Sequence, residues 1–233
     1  MSLSPLHCFI GSNSHGSYCV PASSRHRPAA AAILKGKVWE ADTLALLGSH
    51  AATGDIVHAG TYFGDFLPAL SRAVAADACV WAFEPSQENF RCAEITLKLN
   101  AIANVVLTHA ALGAAPGEAL LCIGEQERRA AGGSSTIVSE KKDGLAHEIA
   151  RVVRLDDVVP AHRHVAILQL DVEHYEQQAL DGALGTIRRC QPLLVLESLP
   201  ADQSWFAANI LSLGYDAAGK VDANRIFRPA PGR

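Results

Sequence analysis

The stretch Ile56-Val57-His58-Ala59-Gly60-Thr61-Tyr62-Phe63-Gly64-Asp65-Phe66 decides the reading of this chain. Ile56 to Ala59 is a short, mostly apolar run of buried-strand type, Gly60 and Gly64 permit a tight turn, and Asp65 to Ala76 carries helical spacing. The same alternation continues outward. Cys79 to Phe83, Val105 to Thr108, Val165 to Leu170 and Leu193 to Leu196 read as buried strands. Gln87 to Asn100, Glu173 to Arg189 and Ala201 to Leu213 read as helices between and after them. Strands that alternate with crossover helices lie parallel, because parallel neighbours need a long connection, and both faces of such a sheet are covered. The expected fold class is α/β, doubly wound.

Two regions fall outside this alternation. Met1 to Arg27 is rich in Ser, Gly, His and Pro and reads as an irregular arm or small hairpin. Pro28 to Lys35 and Ala41 to Leu47 read as helical pieces broken at Gly36, with Asp42 or Thr43 able to cap the second. Further on, Ala119 to Ile123 reads as an extra strand, and Gly124 to Ile149 as a polar inserted loop. Its Gly132-Gly133-Ser134-Ser135-Thr136 segment suits contact with a substrate, and equally an exposed connection.

Composition excludes several classes. The 233 residues hold 20 basic against 24 acidic side chains, so the clustered positive charge of a nucleic-acid binder is not expected. No apolar run approaches the roughly 20 residues that span a bilayer, and the N-terminus has no signal-like core, so no membrane partner and a cytoplasmic location are expected. The six cysteines are scattered without a Cys-x-x-Cys pair, which favours reduced, buried thiols.

In open parallel sheets ligands bind beyond the carboxyl ends of the strands. The Gly60 turn is one such end. Trp81-Ala82-Phe83-Glu84-Pro85 is the next, and it places a carboxylate where it can accept both hydroxyls of a ribose. Glu84 can equally cap the helix that starts near Pro85, a role open to Ser86 as well.

Here a resemblance enters. Gly60-x-x-x-Gly64-Asp65-Phe66, Phe83-Glu84-Pro85-Ser86-x-Glu88-Asn89-Phe90, Leu99-Asn100, Ala110-Ala111-Leu112-Gly113, Arg154-Leu155-Asp156-Asp157 and Leu170-Asp171-Val172-Glu173 occur in the order seen in FkbM-type methyltransferases. The resemblance covers roughly residues 38 to 200 and implies a Rossmann-like, mostly parallel seven-stranded sheet of the class I methyltransferase type. It divides the chain into an arm and helical cap over 1–37 and an S-adenosylmethionine-binding domain over 38–233. It implies S-adenosylmethionine as cofactor and methyl transfer to a hydroxyl of a small molecule such as a sugar or secondary metabolite. It places Gly60, Thr61, Tyr62 and Gly64 around the methionine part, Glu84 on the ribose, and Ser86, His109 and Ala110 near the adenine, and it counts His58, Asp65, Phe66, Pro85, Asn89 and Asp171 among the residues that bind the cofactor.

The chain departs from that pattern where the family has Asp-Val-Gly-Ala-Asn and this sequence has His58-Ala59-Gly60-Thr61-Tyr62. His174 stands where a glycine is usual. These departures read as a subgroup with its own substrate, or as a silent scaffold. A neutral alcohol must lose its proton as it attacks, so a base is needed. His174 suits neutral pH and is the first candidate, with Glu173 beside it and Asp171 positioning the cofactor or acceptor; Glu173 and His174 could instead open the next helix, where acids are favoured.

Asp171, Glu173 and Glu197 could present oxygens to a magnesium ion, but nothing in the sequence fixes their geometry, so no metal is expected. Gly214 to Lys220 mimics a phosphate loop yet lacks the following Ser or Thr, and His162-Arg163-His164 reads as a solvated turn. A nicotinamide oxidoreductase shares the strand, turn and acid but would need Gly-x-Gly-x-x-Gly. The N-terminal segment, including Arg25, His26, Arg27, Trp39 and Glu40, lies outside the core alternation and is placed to cap the cofactor site or to supply acceptor specificity. A homo-oligomer is compatible with all of this.

Overall fold

The structure, a computed structural model, describes residues 5–125 and 129–230. The chain opens with a hairpin, β1 (Cys8–Asn13) and β2 (Gly16–Pro21), followed by helices α1 (Pro28–Leu34) and α2 (Ala41–His50). Then come β3 (Asp55–Ala59), α3 (Leu67–Ala73), β4 (Val80–Phe83), α4 (Gln87–Leu99) and β5 (Val105–Thr108). An inserted group follows: β6 (Ala111–Leu112), β7 (Gly117–Glu125), β8 (Arg129–Ala130), β9 (Thr136–Val138) and β10 (Leu145–Val153). The second half holds α5 (Leu155–Val158), β11 (Val165–Leu170), α6 (Glu176–Asp181), α7 (Leu184–Cys190), β12 (Leu193–Leu196), α8 (Gln203–Asn209), β13 (Tyr215–Val221) and β14 (Asn224–Pro229).

The main sheet has seven strands in the order β13-β14-β12-β11-β3-β4-β5. It is mixed. β12, β11, β3, β4 and β5 run parallel, while β14 and β13 complete one edge antiparallel. The expected predominance of parallel strands therefore holds for five neighbours and stops at a closing hairpin. Its first strand covers the segment that only mimics a phosphate loop in sequence; Gly214 is the turn before it.

Alternation along the parallel strands builds two cores. Ile56, Val80, Ala82, Ile167 and Val195 pack under Leu44 and Leu47 of α2 and Leu67 and Leu70 of α3. Val57, Phe83, Leu168, Leu170, Leu194 and Leu196 pack on the other face with Leu180 of α6, Ile187 of α7 and Phe206 of α8. Helices on both faces make the sheet doubly wound.

Four local expectations are corrected. The segment from Gly124 to Ile149 is largely strand: β7, β8, β9 and β10 form an antiparallel sheet with β6 at its edge. The helix expected over Glu173 to Arg189 is two helices, because Asp156 accepts hydrogen bonds from Gly185 N (2.8 Å) and Thr186 N (2.7 Å) and so caps α7 from another element. Arg163 is not in a solvated turn: its guanidinium lies on the buried Asp55 carboxylate, with Nε donating at 2.7 Å and Nη2 to the second oxygen. Neither Asp42 nor Thr43 caps α2; Thr43 N and Oγ1 both donate to Asp222 instead.

The N-terminal hairpin is part of the packed molecule. Tyr18, Cys19 and Val20 are fully buried with Phe63 and Cys92, and Cys19 N donates to Thr96 Oγ1 of α4 at 3.0 Å. All six thiols are free, and Cys8, unlike the expectation of burial, is exposed. Among the described residues no helix is long and apolar enough to cross a membrane.

Candidate active site

The strand order reverses between β3 and β11, since β4 and β5 extend one way from β3 and β12 extends the other way from β11. Two cavities open at the carboxyl ends there, and both are lined by Gly60, Gly133 and Asp171. Gly60 is required: its φ is +84°, and a Cβ on it would lie 1.7 Å from the Asp171 carbonyl oxygen. The tips of β3 and β11 are thus in backbone contact, with Asp171 N donating to Ala59 O at 3.0 Å.

The smaller cavity, about 460 Å³, is mostly apolar. Phe83, Pro85, Ala110, Leu121, Ile137 and Tyr175 line it, and Glu84 supplies the carboxylate. Glu84 is 3% exposed. One oxygen accepts from Tyr62 N at 2.7 Å; the other accepts from Ser86 N at 2.9 Å and Asn89 Nδ2 at 3.3 Å. A carboxylate has about four acceptor directions, so three donors orient it and leave capacity for a guest. Burial pushes its pKa up to about 8 against the pull of those donors.

The larger cavity, about 740 Å³, lies on the α2 and α3 side and is lined by Arg27, Trp39, Glu40, His58, Tyr62, Asp65 and Phe66, with Gln169, Asp171, Glu173 and Glu197 from the second half. Strand register explains part of this set. His58 is paired with Gln169 across β3 and β11, and Gln169 with Val195 across β11 and β12, so these side chains share one face. Asp171 and Glu197 follow two residues beyond Gln169 and Val195, and Glu197 N donates to Leu170 O at 3.0 Å. One ligand oxygen from each of Asp171, Glu173 and Glu197 lies within 4.8 Å of the others.

His58 is buried, hydrogen-bonded through Nδ1 to Gln169 Oε1, and stacked on Phe66 at 5.4 Å. Burial drives its pKa down to about 4, with the Gln169 contact pulling the other way, so the ring is neutral at pH 7. Burial raises Asp65 to about 7, with Glu40 adding to the rise. Burial raises Asp171 well above the ordinary carboxyl range, and Glu197 and Glu173 reinforce it.

Tyr62 and the inserted sheet close the region over. Tyr62 takes a left-handed backbone, φ +53°, and its hydroxyl donates to Ser24 Oγ. Gly132 packs so closely that a Cβ there would meet the Tyr62 hydroxyl at 2.6 Å. Arg27 bonds Ser134, and Thr136 Oγ1 donates to Glu173 O at 2.9 Å. The arm and the insertion therefore both contribute walls.

The structure brings together His58, Gly60, Tyr62, Asp65, Phe66, Glu84, Pro85, Ala110, Asp171 and Glu173 of the residues singled out in sequence. Others support the cavities without lining them. Thr61 Oγ1 bonds His58 O, Gly64 makes the turn, and Ser86 and Asn89 hold Glu84. His109 stacks on Phe90 at 4.6 Å and contacts Pro85 O. His174 is exposed and lines neither cavity: Glu173 (φ +51°) and His174 (φ +72°) form a left-handed turn, and of the two only Glu173 lines a cavity. Gln169 and Tyr175 were not singled out from sequence; Gln169 was reachable only through the register with His58.

A family model described as "Methyltransferase FkbM domain" matches residues 58–218. Among solved structures, methyltransferase FkbM from Methylobacillus flagellatus KT is 17% identical, with a TM-score of 0.53 over 75% of this chain and 43% of that one. Trm5b from Pyrococcus abyssi is 12% identical, with a TM-score of 0.51 over 97% of this chain and 57% of that one. This chain thus spans less than half of the Methylobacillus protein, and at such identities the likeness is one of fold. No curated protein matches the sequence.

Proposed function

The chain belongs to the FkbM methyltransferase family, and from that premise we propose that it transfers a methyl group from S-adenosylmethionine to a hydroxyl of a small molecule. The observation that carries this reading is the pair of cavities meeting at Gly60 and Asp171, one apolar with a buried carboxylate and one polar and larger. The first fits a nucleoside: Glu84 offers acceptor capacity to ribose hydroxyls, and Pro85, Ala110 and Tyr175 offer surfaces for a base. The second then holds the amino-acid part of the cofactor near Tyr62, Asp65 and Phe66, and the acceptor near Glu173.

S-adenosylmethionine, when bound, supplies a methyl group on a sulfonium. The chain's own residues have three tasks. Gly60 and Asp171 fix where the cavities join and so the line along which the acceptor oxygen approaches, and alignment is a large part of what a displacement needs. Tyr62, held by Ser24 and covered by Gly132 and Gly133, excludes water. Glu173 takes the hydroxyl proton: burial raises its pKa, and Glu197 adds to the rise, which makes it a better base than a free carboxylate. In this reading His174, exposed outside both cavities, has no chemical role.

The remaining features belong to the same proposal. The acidic balance disfavours nucleic acid as acceptor, a cytoplasmic location suits six free thiols, and the assembly is a monomer or homo-oligomer. Calorimetry with S-adenosylhomocysteine and with NADH tests the cofactor, and tritium transfer from labelled S-adenosylmethionine to hydroxylated acceptors tests the reaction. Heat with NADH alone would overturn the reading.

A further inference from the structure

The larger cavity carries charge of both signs, unevenly. Glu40, Asp65, Asp171, Glu173 and Glu197 are its carboxyls, and Arg27 is the one cationic side chain among the lining residues. Opposite charges that share a cavity attract most strongly where water is partly excluded, so an arginine in such company ordinarily pairs. Arg27 does not. Among the described residues the ion pairs are those of Arg154 with Asp156 and Asp157 and of Arg163 with Asp55. Arg27 uses Nη2 alone, on the Ser134 hydroxyl, and its Nε and Nη1 have no partner among the described residues.

Its position is held from two sides. Arg27 N donates to Ser24 O at 2.9 Å and Arg27 O accepts from Ala31 N at 2.8 Å, which fixes the residue between the turn at Ala22–Ser24 and the first turn of α1. The same Ser24 receives the Tyr62 hydroxyl. Ser134, which anchors the guanidinium, follows Gly133, where a Cβ would lie 3.3 Å from the Tyr62 ring. Arg27 and its anchor thus both stand beside Tyr62. A guanidinium tethered at one nitrogen keeps its other donors oriented, and its planar fork matches the two oxygens of a carboxylate. The charges of the cavity narrow the guest further. A purely anionic guest meets carboxyls on the other walls, and a purely cationic one leaves Arg27 unmatched. An α-amino-acid end, with carboxylate and ammonium on one carbon, satisfies both signs.

We propose that Arg27 binds the α-carboxylate of the cofactor's amino-acid end, through the guanidinium donors that Ser134 leaves free. Arg27 lies in the arm, outside residues 58–218 that match the family model, so the arm supplies a cofactor contact that the matched core does not contain. The proposal rests on the S-adenosylmethionine reading above and adds to it that the amino-acid end is recognised by charge. Arg27 acts in binding and takes no part at the reacting atoms.

The test is calorimetry on the whole chain with S-adenosylhomocysteine, with its decarboxylated analogue, which keeps the ammonium group, and with 5′-methylthioadenosine, which lacks the amino-acid end. Arg27→Gln should weaken S-adenosylhomocysteine about tenfold and leave the other two ligands within about twofold of wild type. The preference for the carboxylate-bearing ligand over its decarboxylated analogue therefore falls about tenfold in the variant. Arg27→Lys keeps the charge and loses the fork; it should lose part of that preference, and it serves if the glutamine variant does not fold. If Arg27 only ties the arm to the insertion, the variant weakens all three ligands alike, and that result overturns the proposal. A folded Arg27→Gln protein with unchanged S-adenosylhomocysteine affinity overturns it too, and either outcome leaves the cofactor reading standing. Wild-type protein that binds none of the three sinks the cofactor reading and the proposal with it.

Discussion

Replacing Glu84 tests the nucleoside cradle most directly. Two ribose hydroxyls donating to a carboxylate are worth about 1.5 kcal/mol each, roughly 3 kcal/mol together, or about 150-fold in Kd. Glu84→Ala would confound that number. It orphans three donors, Tyr62 N, Ser86 N and Asn89 Nδ2, in a site that is 3% exposed. Each orphan costs about 1–3 kcal/mol, together a large share of the 5–15 kcal/mol that holds an average domain. Glu84→Gln keeps the volume and one acceptor oxygen, loses the charge, and turns a donor toward one of the backbone N–H groups. It should melt somewhat below wild type and bind S-adenosylhomocysteine about tenfold more weakly. The assay is calorimetry above about pH 8, where the wild-type carboxyl is ionised despite its burial. A folded Glu84→Gln protein that binds S-adenosylhomocysteine as tightly as wild type would refute the reasoning, because nothing else in the smaller cavity is placed to replace a buried carboxylate.

Because burial lifts Glu84 to about 8, it holds a proton at neutral pH and must lose it to accept from ribose. S-adenosylhomocysteine affinity should therefore fall as pH drops from 8, by at most about tenfold per unit, with proton release seen by calorimetry in buffers of different ionisation heat. Arg163→Ala strips the partner from Asp55 at the amino end of β3, far from the cavities, and should cost about 3 kcal/mol in urea unfolding. Burial alone would raise Asp55, but Arg163, Trp81 and Cys79 outweigh it and hold its pKa low. The wild-type stabilisation from Asp55 is thus present above the ordinary carboxyl range and lost as pH falls through the depressed value. His174→Gly relieves a left-handed backbone, φ +72°, and should raise stability by about 1 kcal/mol; a lower melting temperature would mean that the imidazole makes an interaction worth more than the strain.

Much of the sheet was legible because buried parallel strands are written as unbroken apolar runs. Val105–Thr108, Val165–Leu170 and Leu193–Leu196 have the bounds read from sequence. β13 and β14 were missed for the complementary reason: β13 is exposed along most of its length, so neither burial nor alternation marks it. Of the inserted sheet only the middle of β7, Ala119 to Ile123, was read as strand; β9 and much of β10 are half-buried and carry Thr, His, Glu and Arg beside apolar residues, so no clean alternation marks them. In the site, Gly60, Glu84 and Asp171 were readable because a strand's carboxyl end fixes their place. Gln169 and Tyr175 were not singled out, and Glu197 was joined to Asp171 and Glu173 without any geometry, because what brings them together is strand register and the angle of a turn.

Two of the departures from the family pattern, Tyr62 and His58, bear on whether this site works. A site drifting out of use accumulates side chains without partners, since nothing then selects the second residue of each contact. Tyr62 is the opposite case. Its backbone N–H holds Glu84, its hydroxyl holds Ser24 of the arm, and the insertion supplies glycines where any side chain would collide with its ring. His58 has Gln169 across the strand pair and Phe66 against its ring. An aspartate at position 58 would add one more acid to the lining of the larger cavity, at a cost the buried carboxyls already show in their raised pKa values. A neutral imidazole stands there without the charge. The substitutions thus come with partners drawn from the arm, the insertion and the opposite strand.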